Sequence, residues 1–548
     1  MTEARQTKNA TAHQSLTAPL SARQWLYLGF FLCLVTMFYS VEYWTNPVRP
    51  GLSTQYPQGW WGWFDQGQYF KSVVALEQHN YDPLQHHYPI GYPLIGTLFY
   101  SLMPQHAFLI PDFVFCIVTC LAFIDLCRRV VSFRAALLLC FFGAIWCTTV
   151  LENFVYPWTT IPASAALMTL AALVVAPERD RRRSILTGVC AATIFAVRPG
   201  DVVYAWPLAA GLWLGCNHWR EALQRARWFA IGAVPITAVM LYYSFTIHGA
   251  LLSRTYTREV GRAGFGFASW GLKLYTFFID SFVIFGDAKT LITVFPLLFF
   301  VLPGIAVFIR KLQWRGLAIV LSQLLCILYF LAFNNHWVYT AFKYLGIHYW
   351  QWLIPFVGLY AFLTFTQAWR SLGLVAPSLL IAVPLVIWAS IRMEIRPVFT
   401  ATAPATTSSA TRPGQNPDTT DSSQGSASWR CVPDVKGSCT ISLELAEPIT
   451  FNMVKLSTSR AADLLFAPVF IDGHPNRMFY DHYLGTGGDG QPVIVFYRRQ
   501  RGRSLRVTIL NPPAPNTTAT KVQFYQYEFR LTLRNPLRNY FPASSERL

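Results

Sequence analysis

The chain has 548 residues, 53% of them hydrophobic and 16% aromatic against only 13% charged, which excludes a single water-soluble core as the main architecture. The formal net charge of +17 does not mark a nucleic-acid binder, because the basic residues sit largely in short loops beside apolar runs, where they orient helices and meet anionic headgroups. Nine of the eleven cysteines lie in or beside those runs, where a free thiol packs as a small apolar group.

Residues 1–23 form a polar tail. The first apolar run, Trp25 to Val41, is about long enough to cross a bilayer at ~20 residues per span, and without a small-residue cleavage site it reads as an uncleaved signal anchor. Next comes Trp61-Gly62-Trp63-Phe64-Asp65-Gln66-Gly67-Gln68-Tyr69, then Tyr81-Asp82-Pro83 and His86-His87-Tyr88-Pro89-Ile90-Gly91-Tyr92-Pro93. A carboxylate among tryptophans at a membrane surface is costly to desolvate, which sets the functional reading of Asp65 against that of a solvated loop carboxylate. Residues 90–103 read as an interfacial or re-entrant helix.

Further apolar runs fall near 107–127, 135–150, 158–176, 184–197, 202–216, 227–247, 290–309, 316–333, 351–368 and 373–391, which makes about eleven spans. The basic clusters Arg128-Arg129-Arg134, Arg179 to Arg183, Arg220-Arg225-Arg227, Arg310-Lys311-Arg315 and the lone Arg370 lie between alternate spans, so those loops are expected to be cytoplasmic. An odd span count then puts the Asp65 loop and the C-terminal region outside. After the membrane domain, residues 24–394, the stretch 395–430 is rich in Thr, Ser, Ala, Pro and Gly and reads as a linker. Residues 431–548 alternate apolar and polar, as in Ile441-Leu443-Leu445 and Leu505-Val507-Ile509, which predicts an all-β, sandwich-like domain. Cys431 and Cys439 are its only cysteines and would close a disulfide in an external compartment. No P-loop, dinucleotide fingerprint or zinc-ligand spacing is present in the sequence.

Several residues on the expected outer side can carry chemistry. Glu152 stands at the next outer turn, either as an acid that assists Asp65 or as a helix-end carboxylate. Arg254, Arg258 and Arg262 are four apart and share a helical face, with Lys273 beyond them. Guanidinium forks match phosphate oxygens, so a phosphate is the apt partner, with lipid headgroups as the competing one. Lys343, His348 and Tyr349 precede a span start, as phosphate contacts or interfacial anchors, and His86 and His87 could donate to the same phosphate. Arg198 and Asp201 flank Pro199-Gly200 and read as a local ion pair. In the β domain, Tyr480 and Tyr483 offer stacking and hydrogen bonding to a glycan.

Asp65 with Tyr69 at Asp-x-x-x-Tyr spacing, the His86–Pro93 run, and Lys343 ahead of Tyr-Leu-Gly-Ile-His-Tyr-Trp-Gln-Trp-Leu-Ile-Pro resemble the outer loops of GT-C-type membrane glycosyltransferases. That superfamily includes the protein O-mannosyltransferases and the lipid A aminoarabinose transferases. The resemblance covers roughly residues 24–394. It implies a bacterial inner-membrane enzyme that moves a sugar, with inversion, from polyprenyl phosphate to a periplasmic glycan, lipid or protein. Asp65 would then be the base, Tyr69 its supporting neighbour, and Arg254, Arg258, Lys343, His348, His86 and His87 the donor-phosphate contacts. Gln66 departs from the second acidic residue that many relatives carry there, which weighs against a paired-carboxylate metal site and leaves a divalent cation open as the only cofactor. An O-antigen polymerase or ligase is the alternative among enzymes. A lipid-linked glycan flippase is the alternative among transporters, which place ionisable groups at mid-membrane; here they crowd the outer face.

Overall fold

The computed structural model describes residues 20–402 and 432–531, apart from 52–57, 60, 63, 146–147, 177–180, 215, 217, 254–255, 258–263, 268–269, 280–289, 334–342, 434–438, 459–468, 477–481, 487–491 and 510–518. Two compact units result: Met1–Gly261 with Leu297–Phe330 and Ile347–Ala382, and Arg262–Pro296 with Leu331–Gly346 and Val383–Leu548.

The first unit is helical. Its opening helix, Ala22–Thr45, starts at a capping box in which the Ser21 hydroxyl accepts from the Gln24 amide and the Gln24 side chain accepts from the Ser21 amide. Trp25, Phe30, Met37 and Val41 stay exposed on its outer surface, and Trp219, Leu223, Val234 and Phe245 do so on the helix Trp219–His248. Apolar surface left outward on long helices is what lipid covers. Four helical stretches among the described residues are long and apolar enough to cross a membrane, namely Ala22–Thr45, Pro104–Cys127, Trp219–His248 and Trp314–Ala332. Phe133–Ile145, Thr160–Val175 and Val375–Ala389 are apolar but shorter. The run expected at 135–150 is broken: an α-helix to Cys140 passes into a π-turn at Phe141–Ile145, and a new helix covers Thr148–Val155. The interfacial helix expected at 90–103 is the short helix Gly91–Tyr100.

Basic residues close helix ends. Buried Arg183 donates to the carbonyls of Val174 and Ala176 at 3.1 and 3.2 Å, at the C-terminus of Thr160–Val175; Arg225 donates to Leu212 O at 2.6 Å and Lys311 to Val130 O at 2.8 Å. Each supplies a cation to carbonyls that lack an intrahelical partner. The helices Arg181–Val197 and Trp219–His248 touch backbone to backbone where Gly188 meets Phe229 and Gly232 meets Ile185, and a Cβ on either glycine would overlap the opposing carbonyl.

In the second unit Lys273, fully buried on the short helix Trp270–Leu274, donates to Leu331 O at 3.0 Å and Phe333 O at 2.7 Å. Its strands make one antiparallel sheet of β1 (Ile391–Thr402), β2 (Val432–Pro433), β3 (Cys439–Thr458), β4 (Val469–Ile471), β5 (His474–Asn476), β6 (His482–Thr486), β7 (Pro492–Ile509) and β8 (Ala519–Leu531). The order is β1-β8-β3-β7-β4-β5, with β2 on β3 and β6 on β7. For the expected all-β, sandwich-like domain the strands form one antiparallel sheet whose long strands β3 and β7 shift register between Glu444 and Ile449 and between Phe451 and Met453. Bulges of this kind bend a strand, and the inward residues Leu443, Leu445, Val454, Ile494, Phe496, Leu505, Val507, Val522 and Phe524 form one core. At the second shift the Asn452 side chain takes over the ladder, donating to Tyr527 O at 2.9 Å and accepting from Tyr527 N at 2.7 Å.

The linker expected from residue 395 is shortened. Strand β1 starts at Ile391, directly after the helix Val375–Ser390, and runs to Thr402 in register with β8 from Ile391↔Leu531 to Thr402↔Lys521. Alternating Ile391, Met393 and Ile395 already carry the strand period. The turn between β4 and β5 is Asp472-Gly473 with φ of 49° and 77°, the left-handed pair a two-residue hairpin needs.

Candidate active site

The helix Phe64–Glu77 places the first functional group. Gln66, Tyr69, Val73 and Leu76 recur at helical spacing and are buried, so they anchor the helix on one stripe. Asp65 lies in the first turn, where the helix dipole favours a negative charge, and is one turn from Tyr69 on a shared face. The Tyr88 hydroxyl donates to Asp65 Oδ1 at 2.5 Å. The Tyr88 ring packs 4.9 Å from Tyr69, 4.7 Å from His87 and 5.8 Å from Tyr256, and His87 also meets Phe64 at 5.4 Å. Burial and the nearby Asp65 carboxylate push the Tyr88 and Tyr69 phenols well above the ordinary value of 10.0, so both keep their protons.

The second group is Arg198, at the end of the helix Arg181–Val197. Its Nε pairs with Asp201 Oδ2 at 2.8 Å and its Nη1 donates to Thr159 Oγ1 at 3.2 Å. Burial opposes the charge, but the Asp201 carboxylate together with the Tyr204 and Tyr349 phenols outweighs it and holds the guanidinium above its ordinary value of 12.5. The Tyr69 phenol lies beside Thr159 and feels the Arg198 charge. Asp65 with Tyr88, and Arg198 with Asp201 and Thr159, are thus two hydrogen-bonded groups with Tyr69 packed between them. The expected local pair at Arg198 and Asp201 is present, yet the sequence reading missed its link to Tyr69, and an arginine at a helix end on the expected side of Asp65 was the available signal.

An aromatic wall closes the site. The Arg198 guanidinium lies 5.2 Å from the Tyr349 ring centre, Tyr349 packs 4.7 Å from Phe330, and His348 stacks on Trp158 at 4.2 Å with 4° between planes. Tyr349 and Tyr256 both feel the charges of Asp65, Arg198 and Asp201. His348 is thus in the site, buried, as a stacking partner.

The other expected site residues lie as follows. His86 is wholly buried and spent on the fold, with Nδ1 on Ser72 Oγ at 2.7 Å and Nε2 on Asn80 O at 2.9 Å, about two helical turns from Asp65. Glu152 belongs to a second cluster with Glu42 and Tyr156; the Tyr156 hydroxyl donates to Asn46 Oδ1 at 3.4 Å, and burial pushes that phenol up to about 12. Lys343 opens the 3-10 helix Lys343–Trp350, and its side chain lies outside the described residues. Arg254, Arg258, Arg262, Tyr480 and Cys431 also lie outside them. Tyr483 is in β6 opposite Val495, and Cys439 opens β3 opposite Ile509, both with side chains outside the described set.

The donor set around Asp65 does not suit a divalent cation. Gln66 supplies an amide where a second carboxylate would be needed, Asp201 is committed to Arg198, and no group of three His, Cys, Asp or Glu converges among the described residues. What the arrangement offers is a carboxylate that can take a proton, a guanidinium that can meet an anion, and aromatic faces between them. The chain matches no protein-family model, no curated protein and no solved structure.

Proposed function

We propose that this chain is an inverting GT-C-like glycosyltransferase of a bacterial inner membrane, with about eleven spans, that moves a sugar from a polyprenyl-phosphate carrier to a periplasmic glycan, lipid or protein. The observation that carries the reading is the Asp65–Tyr88 hydrogen bond at 2.5 Å, with Tyr69 packed on Tyr88 at 4.9 Å and close enough to Arg198 to feel its charge. Such an arrangement sets a base and a cation in one partly buried, aromatic-lined place, as transfer of a glycosyl group away from a phosphate requires.

In the reaction the acceptor hydroxyl attacks the anomeric carbon from the face opposite the phosphate. Asp65 takes the hydroxyl proton as the new C–O bond forms. The bond from the anomeric carbon to the phosphate oxygen breaks, and its electron pair leaves with the polyprenyl phosphate. Arg198 keeps its Nη2 group for that charge, and Arg254 and Arg258 are the further phosphate contacts that their spacing in the sequence suggests. The β domain, held outside with Cys431 and Cys439 joined, serves the acceptor.

The test is incubation of the purified protein with polyprenyl-phosphate hexoses of known anomeric configuration. Formation of a glycoside with inverted configuration is expected. Retained configuration, or lipid carried across vesicles without any glycoside formed, contradicts the proposal.

A further inference from the structure

Six buried polar atoms on four residues have no hydrogen-bond partner among the described residues: Oε1 and Nε2 of Gln66, Oε1 and Nε2 of Gln351, Nε1 of Trp158 and Oγ1 of Thr160. Gln66 and Gln351 are each 1% exposed, Thr160 4% and Trp158 5%, so bulk water does not serve them. Buried amides are nearly always paired in folded proteins, because an unpaired one forfeits its hydration for nothing.

These groups belong to one place. Gln66 follows Asp65 and stands one turn before Tyr69 on the buried stripe of Phe64–Glu77. Thr159, which lies between Trp158 and Thr160, accepts from Arg198 Nη1 at 3.2 Å, and the Tyr69 phenol feels the Arg198 charge. The Trp158 ring stacks on His348, and the Gln351 backbone N–H donates to His348 O at 3.3 Å, so Gln351 lies one 3-10 turn beyond that ring.

We infer that Gln66, Gln351, Trp158 and Thr160 form a hydroxyl-reading pocket for the transferred sugar, and that this sugar is neutral and polyhydroxylated. Amide and hydroxyl groups both donate and accept, as sugar hydroxyls do, and the indole adds a donor. None of the four side chains carries a charge. An ammonium or carboxylate on the sugar would lose its water against neutral groups, which selects against amino and uronic sugars. The inference rests on the glycosyl-transfer reading for the lipid end of the ligand, whereas the pocket itself rests on the orphaned atoms.

The experiment uses the full-length, detergent-purified protein, the variants Gln66→Met and Gln351→Met, and four probes: bare polyprenyl phosphate, polyprenyl-phosphate glucose, its amino-sugar counterpart, and methyl hexosides. Without ligand, both variants are expected to melt at or above the wild-type temperature, because an orphaned amide has been replaced by an apolar chain of similar length. Their affinity for the glucose-bearing lipid should fall about tenfold or more, while that for the bare lipid stays within about twofold. Thr160→Val, which removes only the hydroxyl, gives the same comparison should a Gln variant fail to fold. Variants that melt lower without ligand yet keep full hexose affinity would overturn the pocket, as would a wild type that does not discriminate the glucose lipid from the bare or amino-sugar lipid. A wild type that binds methyl hexosides through these residues but no polyprenyl phosphate would leave the pocket standing and overturn the proposed reaction.

Discussion

Tyr88→Phe removes one O–H donor and little else. The hydroxyl donates to Asp65 Oδ1 at 2.5 Å, while the ring contacts to Tyr69 at 4.9 Å and His87 at 4.7 Å are ones phenylalanine keeps. Burial with Asp65 beside it holds the phenol well above its ordinary value, so the bond is donated across the whole assay range. A hydrogen bond to an ionised acceptor contributes about 1.5–3 kcal/mol, and one pH unit corresponds to ~1.36 kcal/mol. The bond favours the charged carboxylate. Its loss lets the carboxylate bind a proton at higher pH, so the acidic limb of turnover should move upward by about one to two pH units. The assay is the initial rate of polyprenyl phosphate release between about pH 5 and 9 at saturating lipid. An unmoved limb in a variant that melts within a few degrees of wild type would refute the reasoning.

Other predictions test the scaffold and the topology. Gly232→Ala would push a methyl group into the Ile185 carbonyl, and overpacking of this kind costs about 1–3 kcal/mol, so the variant should melt several degrees lower; unchanged melting would mean that the two helices can part freely. Burial brings Lys273 down from 10.5 to about 7. The unfolded chain then binds the extra proton between about pH 7 and 10.5, so wild-type stability should rise with pH in that window, by an upper bound of about 3–5 kcal/mol, with the penalty fully present below it. Lys273→Met should lose that rise, and melting curves with equal pH dependence in both proteins would refute it. A reporter that works only after export, fused behind Leu548, should be active, whereas activity of a cytosolic reporter there would reverse the topology.

What could be read in the sequence followed from local pattern. The first helix, the short helix after His86-His87 and the β character of the C-terminal region came from apolar runs and alternation, which neighbouring residues set for themselves. Asp65 and Tyr69 could be paired because four residues make one helical turn. Arg198 looked like the partner of Asp201 alone, since its reach to Thr159 and its place over Tyr349 depend on helices far apart in the chain. Tyr88 was seen only as part of a turn-rich run, because its bond to Asp65 spans 23 residues. Residues 391–402 were divided between the membrane domain and the linker although Ile391, Met393 and Ile395 alternate, because the partner β8 that completes the strand lies far along the chain. The break at Phe141–Ile145 has no proline to announce it.

The central claim is that Asp65 takes the acceptor's proton while a glycosyl group leaves polyprenyl phosphate, and mass spectrometry of the lipid tests it most directly. Purified wild type and Asp65→Asn, each given a polyprenyl-phosphate hexose and an acceptor, are compared for conversion to bare polyprenyl phosphate. The amide keeps the size and polarity of the side chain but not its basic charge, so conversion should fall about a hundredfold or more while lipid binding persists. Equal conversion by the two proteins would contradict the account.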